Sequence, residues 1–95
     1  MKVFAVGTII KPLTDEQKDQ IMPKEVPHTL QLYLDEKIDQ FWFRQDRPGV
    51  IFLMNGTVEE AQATVDELPL TQGGFMKFEL TPVGPLMPLG RLIPQ

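Results

Sequence analysis

Residues 38–54 run Ile38-Asp39-Gln40-Phe41-Trp42-Phe43-Arg44, then Gln45-Asp46-Arg47-Pro48-Gly49, then Val50-Ile51-Phe52-Leu53-Met54. The two outer segments are β-branched and aromatic, and the five residues between them carry turn chemistry. So short a connection implies an antiparallel hairpin. Upstream, residues 2–10 form another β-branched and aromatic run, ended by Pro12. Both of its faces, Val3/Ala5/Gly7/Ile9 and Phe4/Val6/Ile10, are largely apolar, whereas a strand wet on one side alternates more cleanly. Both faces of the sheet are therefore expected to be covered.

Helices fill the intervals. Thr14-Asp15-Glu16-Gln17 fits a capping box, in which the threonine oxygen takes an amide of the first turn and Gln17 reaches back. Pro23 and Pro27 disfavour the helical conformation of the residues before them. The segment then reads either as a break near Met22 followed by a second helix, or as one helix with a pronounced kink. Residues 24–36 place Val26, Leu30, Tyr33 and Leu34 on one helical face. After Asn55-Gly56, Thr57-Val58-Glu59-Glu60 is a second capping box, with Val58, Ala61, Val65 and Leu68 at helical spacing. Pro69 stops this helix, and Gly73-Gly74 opens a last strand over 75–80.

The order β-α-β-β-α-β is the ferredoxin-like split unit, an α+β fold within a single domain of residues 1–95. Two helices cover one sheet face, and a second copy of the same sheet would cover the other. The expected assembly is a dimeric α+β barrel, a homodimer or a higher homo-oligomer. Residues 81–95 are rich in proline, yet hold Leu86, Met87, Leu89, Leu92 and Ile93. Such spacing favours an extended arm without internal hydrogen bonds. An apolar arm of this kind is expected to lie on another subunit.

Composition narrows the function. The chain has 95 residues, 42% hydrophobic and 23% charged, which is ordinary for a globular domain. It has no cysteine, which excludes disulfides, thiolate metal sites and a cysteine nucleophile. His28 is the lone histidine, so no metal site is expected. The net charge of −4 has the wrong sign for neutralising phosphates, and the hairpin strand 50–54 has no basic residue, so no nucleic-acid partner is expected. The opening Met1–Gly7 is too short for a signal peptide or a membrane span. No membrane partner is expected, and the expected compartment is the cytoplasm.

No phosphate-cradling, dinucleotide or nucleophile-elbow motif is present, and no cofactor is expected. What remains is a set of polar residues among apolar ones. Glu25, His28 and Thr29 share one side of a helical turn. Gln40, Trp42 and Arg44 alternate onto one face of their strand. Together these would line a small pocket in which Glu25, assisted by His28, moves protons. Arg44 would hold a substrate carboxylate bidentately, Gln40 would orient it, and Trp42 would form the apolar wall. Each residue also has a structural reading: Glu25 and Arg44 as surface charges, His28 as helix packing, Trp42 as core.

The stretch Glu67-Leu68-Pro69-Leu70, with Thr71-Gln72-Gly73-Gly74 and then Phe75 through Thr81-Pro82-Val83, resembles the muconolactone isomerase-like family. Leu32 to Trp42 is similar to that family's helix end, polar turn and aromatic strand, and Ile51-Phe52 to its third strand. The resemblance implies a ferredoxin-like fold, dimers that assemble further, and cofactor-independent proton shuttling on a small lactone. It places Glu25 at the family's helix glutamate. Trp42 is kept from the family's Trp-Arg pair, with Phe43 intervening before Arg44. The expected function is thus a cofactor-free isomerase or related proton-transfer enzyme acting on a small lactone-like or acidic molecule. The alternative is a non-catalytic small-ligand binder or oligomeric accessory protein of the same fold.

Overall fold

Strand β1 (Lys2–Ile9) is the organising element, because both of its neighbours hydrogen-bond to it. The computed structural model describes residues 1–84. After β1 come α1 (Asp15–Leu34), β2 (Ile38–Phe43), β3 (Gly49–Asn55), α2 (Val58–Asp66), the short α3 (Pro69–Gln72) and β4 (Met76–Val83). The sheet order is β2-β3-β1-β4, with every neighbouring pair antiparallel. This is the ferredoxin-like α+β fold, and the hairpin of residues 38–54 forms its β2-β3 half.

Register sorts the side chains onto two faces. Val3 pairs with Met54 and Pro82, Ala5 with Phe52 and Leu80, and Gly7 with Val50 and Phe78. This face is the core: Val3, Ala5, Phe52, Met54 and Phe78 are buried together with Leu32 of α1, Ala61 and Val65 of α2, and Leu70 of α3. Gly7 is needed there, since a Cβ would stand 2.7 Å from the Phe78 ring. On the other face Phe4 pairs with Leu53, Val6 with Ile51, and Ile51 with Trp42. Phe4, Val6, Ile51 and Leu53 are only half-buried and Trp42 is 45% exposed, so the described residues leave this apolar row partly open.

Helix α1 is one continuous helix through both prolines, not a broken pair. Its capping box forms as expected on Thr14 and Gln17. Pro23 and Pro27 are four apart and both exposed, as is Asp19. The carbonyls of Asp19 and Pro23, which lose their i+4 donors, therefore sit on the solvent side, where they are open to water. The helix ends with Glu36 in the left-handed region (φ 62), the Glu36 amide donating to Tyr33 O and the Lys37 amide to Leu32 O. That pair of bonds is a Schellman motif. The inward stripe is Ile21, Glu25 and Leu32, whereas Val26, Leu30, Tyr33 and Leu34 stay 46–71% exposed.

Two further boundaries differ from the sequence expectation. Pro69 does not only stop a helix; it also starts α3, where its fixed φ and missing N–H suit the first turn. The C-terminal arm does not begin at Thr81, because Thr81-Pro82-Val83 extend β4 and pair with Phe4, Val3 and Lys2. β4 is an edge strand, which tolerates the missing amide of Pro82. The rest of the expected arm, residues 85–95, lies outside the described residues.

Candidate functional site

Between α1 and the β2 edge of the sheet lies an apolar cleft with two adjoining compartments, of about 200 Å³ and about 400 Å³. Met22, Phe43, Val50, Leu70 and Met76 wall both compartments. The cleft exists because β2 extends beyond the cover of α1. Phe41 and Phe43 share the helix-side face with Phe52 and Val50 but remain 40% and 80% exposed. Tyr33 steadies this wall through an edge-on contact with Phe41, ring centres 5.4 Å apart.

The smaller compartment contains one ionisable group, Glu25, which is only 7% exposed. One carboxylate oxygen accepts from the Leu70 amide at 2.9 Å, and the other accepts from the Thr29 hydroxyl at 3.3 Å. The first bond has a local cause. Leu68, at the N-cap position just before α3, has no side chain able to cap it, so the orphan amide of Leu70 is met by a carboxylate from α1. Glu25 therefore joins α1 to α3 and presents a carboxylate among Met22, Val26, Leu30, Phe41 and Phe52. Such a group is an acceptor with lone pairs to spare, since a carboxylate offers about four sites and two are occupied.

The structure separates the sequence-derived candidates into two groups. Glu25 and Thr29 come together in the cleft. His28, one residue before Thr29, is half-buried on α1, does not line the cleft, and makes no side-chain hydrogen bond among the described residues. Gln40, Trp42 and Arg44 do share a face, but it is the open face of the sheet. Gln40 pairs with Leu53 and Trp42 with Ile51, so Trp42 borders the cleft while its register sets the indole on the opposite side. Arg44 donates to the Thr8 hydroxyl at 2.7 Å and forms a two-pronged pair with Asp46, at 2.9 and 2.6 Å. That hydrogen bond pulls the Asp46 carboxyl down to about 2 and raises Arg44 above its ordinary value. The guanidinium is thus engaged away from Glu25.

Sequence reasoning missed Lys18, Met22 and Phe43, all of which line the cleft. For Lys18 and Met22 the signal is the spacing 18, 22, 25, 29, one stripe along an unbroken helix, and for Phe43 it is the alternation with Phe41 on β2. The helical stripe is the weaker of the two signals. It disappears if the helix is broken at Met22. Among the described residues no cluster of three or more His, Asp or Glu could hold a metal ion, and no helix is long and apolar enough to cross a membrane.

Fold and cleft together define a ferredoxin-like α+β protein with an apolar site sized for a small molecule and floored by one buried carboxylate. Among solved structures the chain is similar in fold to 5-chloro-2-hydroxyhydroquinone dehydrochlorinase from Burkholderia phenoliruptrix AC1100, solved in complex with 2,5-dihydroxybenzoquinone. The TM-score is 0.69 at 14% identity, over 88% of this chain and 94% of that one. At that identity the likeness is one of fold. No family model matches the chain, and no curated protein matches it in sequence.

Proposed function

We propose that the cleft is the active site of a proton-transfer enzyme of isomerase type, acting without a cofactor on a small lactone-like or acidic organic molecule. The observation that carries this reading is Glu25: a buried carboxylate, oriented by two hydrogen bonds, in a cleft otherwise walled by apolar side chains. Glu25 would take a proton from an activated C–H bond of the substrate. The electron pair would move into the substrate's π system, and the resulting acid would return the proton to another carbon. No redox partner is needed, and the carboxylate is regenerated. Thr29 would fix the rotamer of the base, and the apolar walls would hold the ring and exclude water.

A second copy of the chain would cover the open row of Phe4, Val6, Ile51, Leu53 and Trp42, giving a homodimer. In that assembly Gln40, Trp42 and Arg44 would face the partner's sheet, not the substrate.

The second reading, a ligand binder without chemistry, is favoured by one specific feature: the carboxylate of Glu25 already serves as the cap of α3. The two are separated by assaying wild type and Glu25→Gln against a panel of small lactones and unsaturated acids. Loss of turnover by about 10²–10⁴-fold in the variant supports proton transfer. Equal turnover in both proteins removes Glu25 from the mechanism, and binding without turnover in wild type puts the binder reading ahead.

A further inference from the structure

The same cleft contains a second charge, at its other end. Lys18 lines the larger compartment, while Glu25 lies in the smaller one. Both belong to α1, seven residues apart, which is two helical turns or about 10 Å along the axis. Met22 stands between them on the same side of the helix, and Val50, Leu70 and Met76 face it from across the cleft. The path from one charge to the other is therefore apolar throughout.

Among the described residues Lys18 is the one basic side chain that lines either compartment; Lys24, Lys37 and Lys77 also form no ion pair but do not line the cleft. Arg44 is held by Asp46 and Thr8, Lys2 by Asp39 and Asn55, and Lys11 lies over the Phe75 ring. Lys18 forms no ion pair among the described residues. An ammonium at one end of an apolar slot and a carboxylate at the other impose a polarity on any occupant. An anionic group is attracted at the Lys18 end and repelled at the Glu25 end. A compact one-ring acid is too short to satisfy Lys18 while reaching Glu25, and a dianion charged at both ends is repelled.

We infer that Lys18 is the anion anchor of this cleft, and that its ligand is an elongated apolar monoanion, two fused rings or a ring with a short chain, whose uncharged end meets Glu25. The inference rests on the cleft being the ligand site and names the class of ligand it takes. It also replaces Arg44 with Lys18 as the residue that holds a substrate carboxylate.

The test uses two dyes with the same aromatic skeleton, 1-anilinonaphthalene-8-sulfonate, which is a monoanion, and N-phenyl-1-naphthylamine, which is neutral. Titrations are followed by fluorescence on the full chain. Wild type should bind the sulfonate dye at one site per chain and more tightly than the neutral dye. Lys18→Met should weaken the sulfonate dye about tenfold, the scale of one hydrogen bond to a charged group, and leave the neutral dye within about twofold. Met22→Glu should weaken both dyes, which places them in the cleft and not on the open sheet face. Lys18 and Met22 are exposed, so the variants should keep the fold, which circular dichroism checks. An unchanged preference in Lys18→Met, no preference in wild type, or indifference of both dyes to Met22→Glu overturns the inference. Glu25→Gln separates the two proposals, because it should abolish turnover yet keep sulfonate-dye binding at wild-type strength or better. Inactive Glu25→Gln with a silent Lys18→Met would sink the anchor alone, and the reverse pattern would sink the proton-transfer reading alone.

Discussion

Glu25→Ala and Glu25→Gln should differ in stability by more than either the size or the exposure of the residue would indicate. The carboxylate accepts the Leu70 amide at 2.9 Å in a buried setting, and α3 has no other side-chain cap. Alanine removes the acceptor and leaves that amide without a partner, at a cost of about 1–3 kcal/mol. It also strips the Thr29 hydroxyl of its acceptor, so a total of about 2–3 kcal/mol is expected. For a 95-residue chain, each kcal/mol moves the melting temperature by roughly 4–8 °C, so alanine should lower it by roughly 8–24 °C. Glutamine keeps a carbonyl oxygen for Leu70 and offers an amide to Thr29. It loses only the charge assistance, about 1 kcal/mol. Urea unfolding followed by far-ultraviolet circular dichroism, with calorimetry on the same samples, measures both. Equal midpoints for the two variants, or an alanine variant as stable as wild type, would show that the Glu25–Leu70 bond does not hold α3 in place. The series also separates the structural duty of the residue from its proposed catalytic one, since glutamine should cost less stability than alanine while failing in turnover.

Four other outcomes are expected. Gly7→Ala puts a Cβ 2.7 Å from the Phe78 ring, well inside ordinary contact, and should lower the unfolding free energy measured in urea by about 1–3 kcal/mol, with Phe78→Leu restoring part of the loss. Glu36→Gly relieves a left-handed conformation (φ 62) at the end of α1 and should raise stability by about 1 kcal/mol in the same assay. The Asp46 carboxyl is held at about 2 against an ordinary 3.8, so its contribution is complete above the ordinary value and is lost as pH falls toward 2. Carbon-detected NMR titration should show the value returning to the usual range in Arg44→Ala. Val6→Glu, on the open face beside Ile51 and Glu79, should convert a dimer to a monomer in light scattering, and a wild type already monomeric at micromolar concentration would remove the dimer from the proposal.

The β-strands were legible because alternation and turn chemistry act locally. The hairpin of residues 38–54 needs only Pro48-Gly49 between two aromatic and β-branched runs, and both capping boxes form on Thr14 and Thr57. The boundaries that shifted depended on partners remote in sequence. Pro82 can continue β4 only because the strand lies at the sheet edge beside Lys2–Phe4. Pro69 can open α3 only because Glu25, 45 residues away along the chain from Leu70, meets the amide that follows it. In both cases a proline that signals termination by itself is accommodated by tertiary context.

The site was less legible than the fold, and the reason lies in the same two features of helix and strand geometry. Gln40, Trp42 and Arg44 do alternate onto one face, but alternation does not say which face meets the helix. That is set by pairing, where Phe52 and Met54 carry Phe41 and Ile38 onto the core side and leave Gln40 and Trp42 opposite. Asp39 is the bulged residue of this pair, with no register partner of its own, and its carboxylate takes Lys2 at 3.0 Å. On α1 the difficulty was Pro23 and Pro27. A helix broken at Met22 places Lys18 and Glu25 on independent segments, with no fixed angle between them. Once the prolines are seen to be four apart and solvent-facing, the helix can continue, and Lys18, Met22, Glu25 and Thr29 become one stripe along the cleft. The polar constellation sought across two elements is then found on a single helix, where backbone geometry alone fixes the spacing of its charges.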